Sequence, residues 1–168
     1  MKVFVSHSMK DHSILAEIQN SLQPNGIILL IAEHEIDINH SISDKIKVMI
    51  SDCHFGLVLL TKNGFNSGFV REEIGFLEAK GKPNLLIIEK GLENEYSGFK
   101  YGHEYIELNP DQPGIAEEKI KTTLVNYWTQ ICEKNRQIEI QKAERERQQV
   151  LIGLSILAGI VILGSISE

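Results

Sequence analysis

Five short apolar runs alternate with segments of helical periodicity in residues 1 to about 130. The runs lie at 2–6, 27–32, 55–61, 84–89 and 104–108. Continuous runs such as IILLI and LLII are typical of strands buried on both faces. Strands that alternate with helices predict a parallel sheet covered on both sides. We therefore expect an α/β domain: a flavodoxin-like three-layer fold with a five-stranded parallel sheet of order 2-1-3-4-5.

Helical spacing of apolar residues predicts helices in the segments between these runs. One helix runs from about Asp11 to Leu22, with Asp11 as its N-cap. A second begins near Ser41 and a third near Gly68, and residues 91–103 form an irregular loop. A last helix starts near Ile115 and continues through a segment that carries charges of both signs. The domain is expected to span 1–131, followed by a charged helical linker at 132–149.

Composition excludes several classes of function. The net charge of −6 argues against a nucleic-acid-binding protein, which needs a basic face. Cys53 and Cys132 lie far apart and fit a reducing compartment without a disulfide framework. The six histidines show no H-E-x-x-H spacing, so no metal site is expected.

The segment VLIGLSILAGIVILGSI, residues 150–166, carries no charge. A helix that is apolar all round has no amphipathic face, so a single transmembrane segment is expected at 150–167. Its length of about 25 Å is slightly less than a hydrocarbon core of about 30 Å. The basic residues between 134 and 147 predict a membrane protein, single-pass and tail-anchored, with the domain in the cytoplasm. The alternative is a buried core or oligomer helix.

The residues that follow the first and third strands should meet, because a crevice opens where the strand order reverses. Ser6, His7 and Ser8 follow the first strand, and Glu72 and Glu73 lie early in the third helix. The backbone at Ser8, at a helix start, is a candidate to receive a phosphate or ribose hydroxyls. A purely structural role is the alternative for the two acids, since carboxylates in a first helical turn offset the helix dipole.

Three motifs in this order resemble the TIR domain family, over residues 2 to about 130. VFVSHSMKD, residues 3–11, resembles the family's opening strand, and EHEIDINHSI, residues 33–42, resembles its loop after the second strand. NSGFVREE, residues 66–73, resembles the family's S-x-W-[VC]-x-x-E motif. The resemblance implies that Glu73 is the catalytic glutamate of NAD-cleaving members. It also implies that Phe69 stands where the family usually has Trp, without the indole N–H and some stacking area.

The chemistry implied by this resemblance is cleavage of the nicotinamide–ribose bond, with NAD as substrate and no cofactor. The products would be nicotinamide and ADP-ribose or a cyclic variant. The carboxylate of Glu73 would stabilise an oxocarbenium-like transition state. The expected substrate-binding residues are Ser6, His7, Ser8 and Phe69.

The resemblance also implies activation by self-assembly into a homo-oligomer, in antiviral defence or cell-death signalling. The loop after the second strand would make the contact between subunits. Its expected contact residues are Glu33, Glu35, Ile36, Asp37, Ile38 and Asn39. Two alternatives are a non-enzymatic adaptor that recruits other TIR domains and a tail that assembles to disrupt a membrane.

Overall fold

The computed structural model describes residues 1–32, 42–64, 67–96 and 104–164, except the side chains of residue 42 and of residues 153–164. Within these residues, five parallel strands form one sheet of order β2-β1-β3-β4-β5. The strands are β1 (Lys2–Ser6), β2 (Ile28–Ile31), β3 (Phe55–Leu60), β4 (Asn84–Glu89) and β5 (Tyr105–Leu108). The α/β architecture and the five-stranded parallel sheet are confirmed.

Burial along the strands follows their position in the sheet. All residues of the central strand β3 are buried, because helices cover both faces of a parallel sheet. The edge strand β2 is more open, and the side chain of its first residue, Ile28, is exposed. On one face, Phe4 and Leu60 form a core with Ile50, Ile74 and Leu77 of the covering helices.

Four α-helices lie within the described residues: α1 (His12–Leu22), α2 (Ile42–Asp52), α3 (Gly68–Ala79) and α4 (Pro113–Gly164). Short 3₁₀ turns at Met9–Asp11 and Gln23–Asn25 flank α1. After α3 the chain reverses at Gly81, whose φ of 61° favours glycine. Of the predicted irregular segment, residues 91–96 form turns, and 97–103 lie outside the described residues.

The start of α1 differs from the prediction that Asp11 is its N-cap. Asp11 precedes α1, but its side chain makes no capping hydrogen bond. Instead, Ser8 caps the 3₁₀ turn, where its side chain accepts a hydrogen bond from the backbone N–H of Lys10. The carboxylate of Asp11 is buried and bonds to the segment that follows β3, so tertiary contacts replace the local cap.

The chain divides into two compact units, Met1–Val125 and Asn126–Glu168. The first unit contains the sheet, α1–α3 and the first turns of α4, which bury Ala116, Ile120 and Leu124. In the second unit, the residues of α4 from 134 to 152 are exposed.

The predicted tail anchor and membrane localisation are wrong. Across the described ranges, no helix is both long and apolar enough to cross a membrane. A span needs about 20 consecutive apolar residues. In α4 the apolar stretch directly follows charged, exposed turns that include Arg145 and Arg147. The last residues of the expected segment, 165–167, lie outside the described residues.

Candidate active site between helices α2 and α3

Glu73 is buried because of its position on α3. Val70, Ile74 and Leu77 form the buried stripe of this helix. Residues three and four apart share a face of a helix, so Glu73 lies on the same side as Val70 and Leu77. Its side chain is only 8% exposed. The helical spacing therefore directs a carboxyl group toward the protein interior.

A hydrogen bond joins this carboxyl group to the end of β1. Ser6, the last residue of β1, is fully buried, and its Oγ donates to Oε2 of Glu73 at 2.5 Å. Burial is the main reason why the pKa of Glu73 is raised to about 7. The hydrogen bond from Ser6 lowers this pKa, and the negative charge of Glu72 raises it. Both protonation states of Glu73 are therefore populated near neutral pH.

Glu73 lines a cavity of about 160 Å³ between α2 and α3. Among the described residues, its lining comprises Ser43, Ile46, Lys47, Phe69, Glu72, Glu73 and Phe76. An engineered protein cavity of about 150 Å³ holds a benzene molecule. The cavity therefore has the volume for one six-membered ring beside a buried carboxyl group.

A second buried network joins the segments that follow β1 and β3. The carboxylate of Asp11 accepts hydrogen bonds from Thr61 Oγ1 at 2.8 Å and from Asn63 Nδ2 at 2.6 Å. The hydroxyl of Tyr96 donates to the Thr61 carbonyl at 2.6 Å. Burial, then the charges of Asp11 and Glu89, raise the pKa of Tyr96 to about 12, so it remains a donor. These bonds hold the two segments together where the strand order reverses.

The family of the chain follows from its sequence over the same region. The sequence profile described as "TIR domain" matches residues 3–125. The chain belongs to the TIR domain family. This match covers the sheet, α1–α3 and the start of α4, and it confirms the resemblance found in the motifs.

Solved structures share this TIR fold at low sequence identity. The CMP N-glycosidase BcmB of Clostridium botulinum is 16% identical, with a TM-score of 0.52 over 71% of this chain and 99% of that chain. The RPS4 and RRS1 TIR domain heterodimer is 12% identical, with a TM-score of 0.60 over 75% of this chain and 97% of that chain. At these identities the likeness concerns the fold alone. No curated protein matches this TIR chain in sequence.

The structure brings together some of the predicted site residues and separates others. Ser6 and Glu73 are in contact, and Phe69 lines the same cavity with its side chain 54% exposed. Neither His7 nor Ser8 belongs to the described lining of that cavity. His7 Nδ1 lies 3.3 Å from the Val5 carbonyl oxygen. The expected assembly residues, 33–39, lie outside the described residues.

Sequence reasoning missed the part of the site that α2 and the third turn of α3 supply. Lys47 and Phe76 line the cavity, although no motif marked them. The predicted meeting of the segments after β1 and β3 is confirmed, because Thr61 and Asn63, which follow β3, bond to the carboxylate of Asp11. Glu73 lies in the second turn of α3, beyond the first turn where the dipole acts, so dipole compensation does not explain its position.

Within the described residues, no group of three or more His, Cys, Asp or Glu side chains is arranged to hold a metal ion.

Proposed function

We propose that this TIR protein cleaves the N-glycosidic bond of NAD, releasing nicotinamide and ADP-ribose or a cyclic variant. One observation carries the proposal: a buried carboxyl group, Glu73, lines a cavity with the volume of one ring. Phe69 and Phe76 supply aromatic walls for a pyridine ring. NAD is a substrate in this reaction, and the proposal includes no cofactor.

The reaction needs negative charge near the anomeric carbon. The bond between C1′ and the pyridinium nitrogen breaks, and its electron pair neutralises the ring, so nicotinamide leaves without a proton donor. Ionised Glu73 stabilises the positive charge that develops on the ribose. Water then adds to C1′ and releases a proton to solvent, which gives ADP-ribose; in the cyclic variant a group of the same molecule adds to C1′ in place of water. The bond from Ser6 fixes the carboxylate and favours its charged form.

A second candidate substrate is a pyrimidine nucleotide. BcmB, which shares the fold, is a CMP N-glycosidase. A pyrimidine leaves a neutral nucleotide as an anion and therefore requires a proton. Glu73, with a pKa of about 7, would supply that proton in its neutral form. The two substrates thus require opposite protonation states of the same side chain.

The test is chromatography of NAD and of CMP after incubation with the purified chain. We expect nicotinamide release by the wild type and a loss of at least about 100-fold in kcat for Glu73→Gln. The exposed control Glu139→Gln, outside the described cavity lining, should have near-normal activity. For NAD, kcat/KM should rise with pH through about 7, the pKa of Glu73. A profile that falls above this pH, with release of cytosine from CMP, would support the second candidate.

Self-assembly through residues 33–39 is part of the proposal, as is a role in defence or cell-death signalling. The RPS4 and RRS1 structure is a heterodimer of TIR domains, which supports contacts between copies of this fold. Activity per molecule should therefore rise with protein concentration. If neither substrate is cleaved by concentrated protein, the non-enzymatic adaptor becomes the better explanation.

A further inference from the structure

The cavity beside Glu73 is too small for a whole nucleotide, so the rest of the substrate must lie outside it. A second, open recess of about 640 Å³ adjoins the cavity between the same two helices. It is lined by Lys47, Val48, Ser51, Asp52, Phe76 and Lys80. Lys47 and Phe76 line both spaces, which makes the recess a direct continuation of the cavity.

We propose that this α2–α3 recess binds the 5′-phosphate groups of the substrate through Lys47 and Lys80. The inference rests on the proposed function, because the cavity must hold the base for the phosphates to reach the recess. It adds to that function a selectivity for phosphorylated nucleosides over free nucleosides.

The charges of the recess favour an anion. Among the described residues that line the recess, only Asp52 is acidic. Asp52 is already paired with Lys2, with 2.5 Å between Lys2 Nζ and Asp52 Oδ2, and this contact lowers its pKa. Lys47 lies 3.6 Å from Asp44, and both side chains are more than half exposed, so this ion pair is weak. The two lysines of the recess therefore outweigh its single, compensated carboxylate.

The distances along α3 also agree with this assignment. Lys80 follows Glu73 by seven positions, which corresponds to about 10 Å along a helix axis. Its Nζ lies 5.5 Å from the ring centroid of Phe76, which lines both the cavity and the recess. A ribose 5′-phosphate or a pyrophosphate extends over a distance of this order from the anomeric carbon. The phosphate would therefore reach Lys47 and Lys80 while the sugar contacts Glu73.

The alternative role of Lys80, at the C-terminus of α3, is to offset the helix dipole. That role would affect the stability of the fold and leave substrate selectivity unchanged. Ser8, the phosphate-binding candidate from the sequence, already accepts a hydrogen bond from Lys10 and is not part of the described cavity lining. Both alternatives can be separated from the proposal by comparing two substrates that differ by one phosphate.

The experiment compares kcat/KM for nicotinamide mononucleotide and for nicotinamide riboside. Lys47→Gln and Lys80→Gln should each lower the mononucleotide-to-riboside ratio about 10-fold, the effect of losing one hydrogen bond to a charged group. The exposed control Lys119→Gln should leave the ratio unchanged. An unchanged ratio in both recess variants, or a fall only in Ser8→Ala, would overturn the assignment.

A binding measurement separates this inference from the proposed function. Calorimetry with ADP-ribose should show binding to the wild type and a loss of about 10-fold or more in the double variant Lys47→Gln/Lys80→Gln. If the chain cleaves no substrate but shows this loss, the recess stands and the catalytic proposal fails. If nicotinamide is released and the double variant binds ADP-ribose normally, or the wild type binds none, the recess proposal fails alone.

Discussion

At the scale of single residues, the site depends on a carboxyl group kept in an unfavourable environment. The sequence motifs identified Glu73, and helical spacing explains its burial beside Val70 and Leu77. The side chains of α2 that complete the cavity could not be predicted, because the packing of two helices decides which residues face each other. The role of Asp11 could not be predicted either. Its local sequence predicts a helix cap, but its carboxylate accepts a hydrogen bond from Thr61, which is distant in the sequence.

The burial of Glu73 has a consequence for stability that depends on pH. Its pKa rises from 4.5 in the unfolded chain to about 7 in the folded one. A raised acid pKa means that the folded state binds the proton more tightly, so this contribution to stability is present below pH 4.5 and is lost as pH rises through about 7. A shift of this size corresponds to about 3 kcal/mol.

Glu73→Gln should therefore stabilise the protein at high pH. The amide keeps an acceptor for Ser6 without a charge, so the free energy of unfolding should exceed that of the wild type by about 1–3 kcal/mol at pH 8. The difference should shrink toward zero below pH 4.5, the pKa of a free glutamic acid side chain. Urea unfolding across this pH range measures it, with the exposed Glu139→Gln as the control. A difference that is independent of pH would contradict the assigned burial effect.

At the scale of elements, the sequence predicted the strands best. β1 and β4 have the predicted bounds, because each apolar run matches a strand buried between two helical layers. The edge strands shift by one residue at their ends, where burial no longer defines them. Helix α3 begins at Gly68, as predicted, and it ends at Ala79, shortly before Gly81 provides a left-handed turn.

Two glycines test how closely α3 packs on the sheet. A Cβ built on Gly56 of β3 would lie 2.8 Å from Leu77 Cδ1 and 3.2 Å from Asn84 Cβ. Gly56→Ala should lower the free energy of unfolding by about 1–3 kcal/mol through overpacking. Gly75, exposed on α3, has nothing within 4 Å of such an atom, and Gly75→Ala should raise stability by about 0.5–1 kcal/mol. Thermal unfolding of the pair measures both, and equal signs would contradict the packing described.

At the scale of the whole molecule, the fold is concentrated in the part that the TIR profile matches. The unit Met1–Val125 contains the sheet and both helices of the candidate site. The absence of charge in residues 150–166 suggested a tail anchor, but within the described residues no helix is long and apolar enough to cross a membrane. The domain boundary at residue 131 stays a prediction, and it can be tested by truncation.

A chain that ends at residue 131 should keep the fold of the sheet unit. It retains Ala116, Ile120 and Leu124, the residues by which α4 contributes to the core, and it removes a segment that is exposed from residue 134 to 152. A chain that ends at residue 114 loses all three, and burial losses of about 2–5 kcal/mol for each large side chain approach the whole stability of a domain of this size. Near-ultraviolet circular dichroism and urea unfolding should therefore show a cooperative transition for the first truncation and none for the second. If the first truncation also lacks a cooperative transition, residues beyond 131 stabilise the domain and the boundary is wrong.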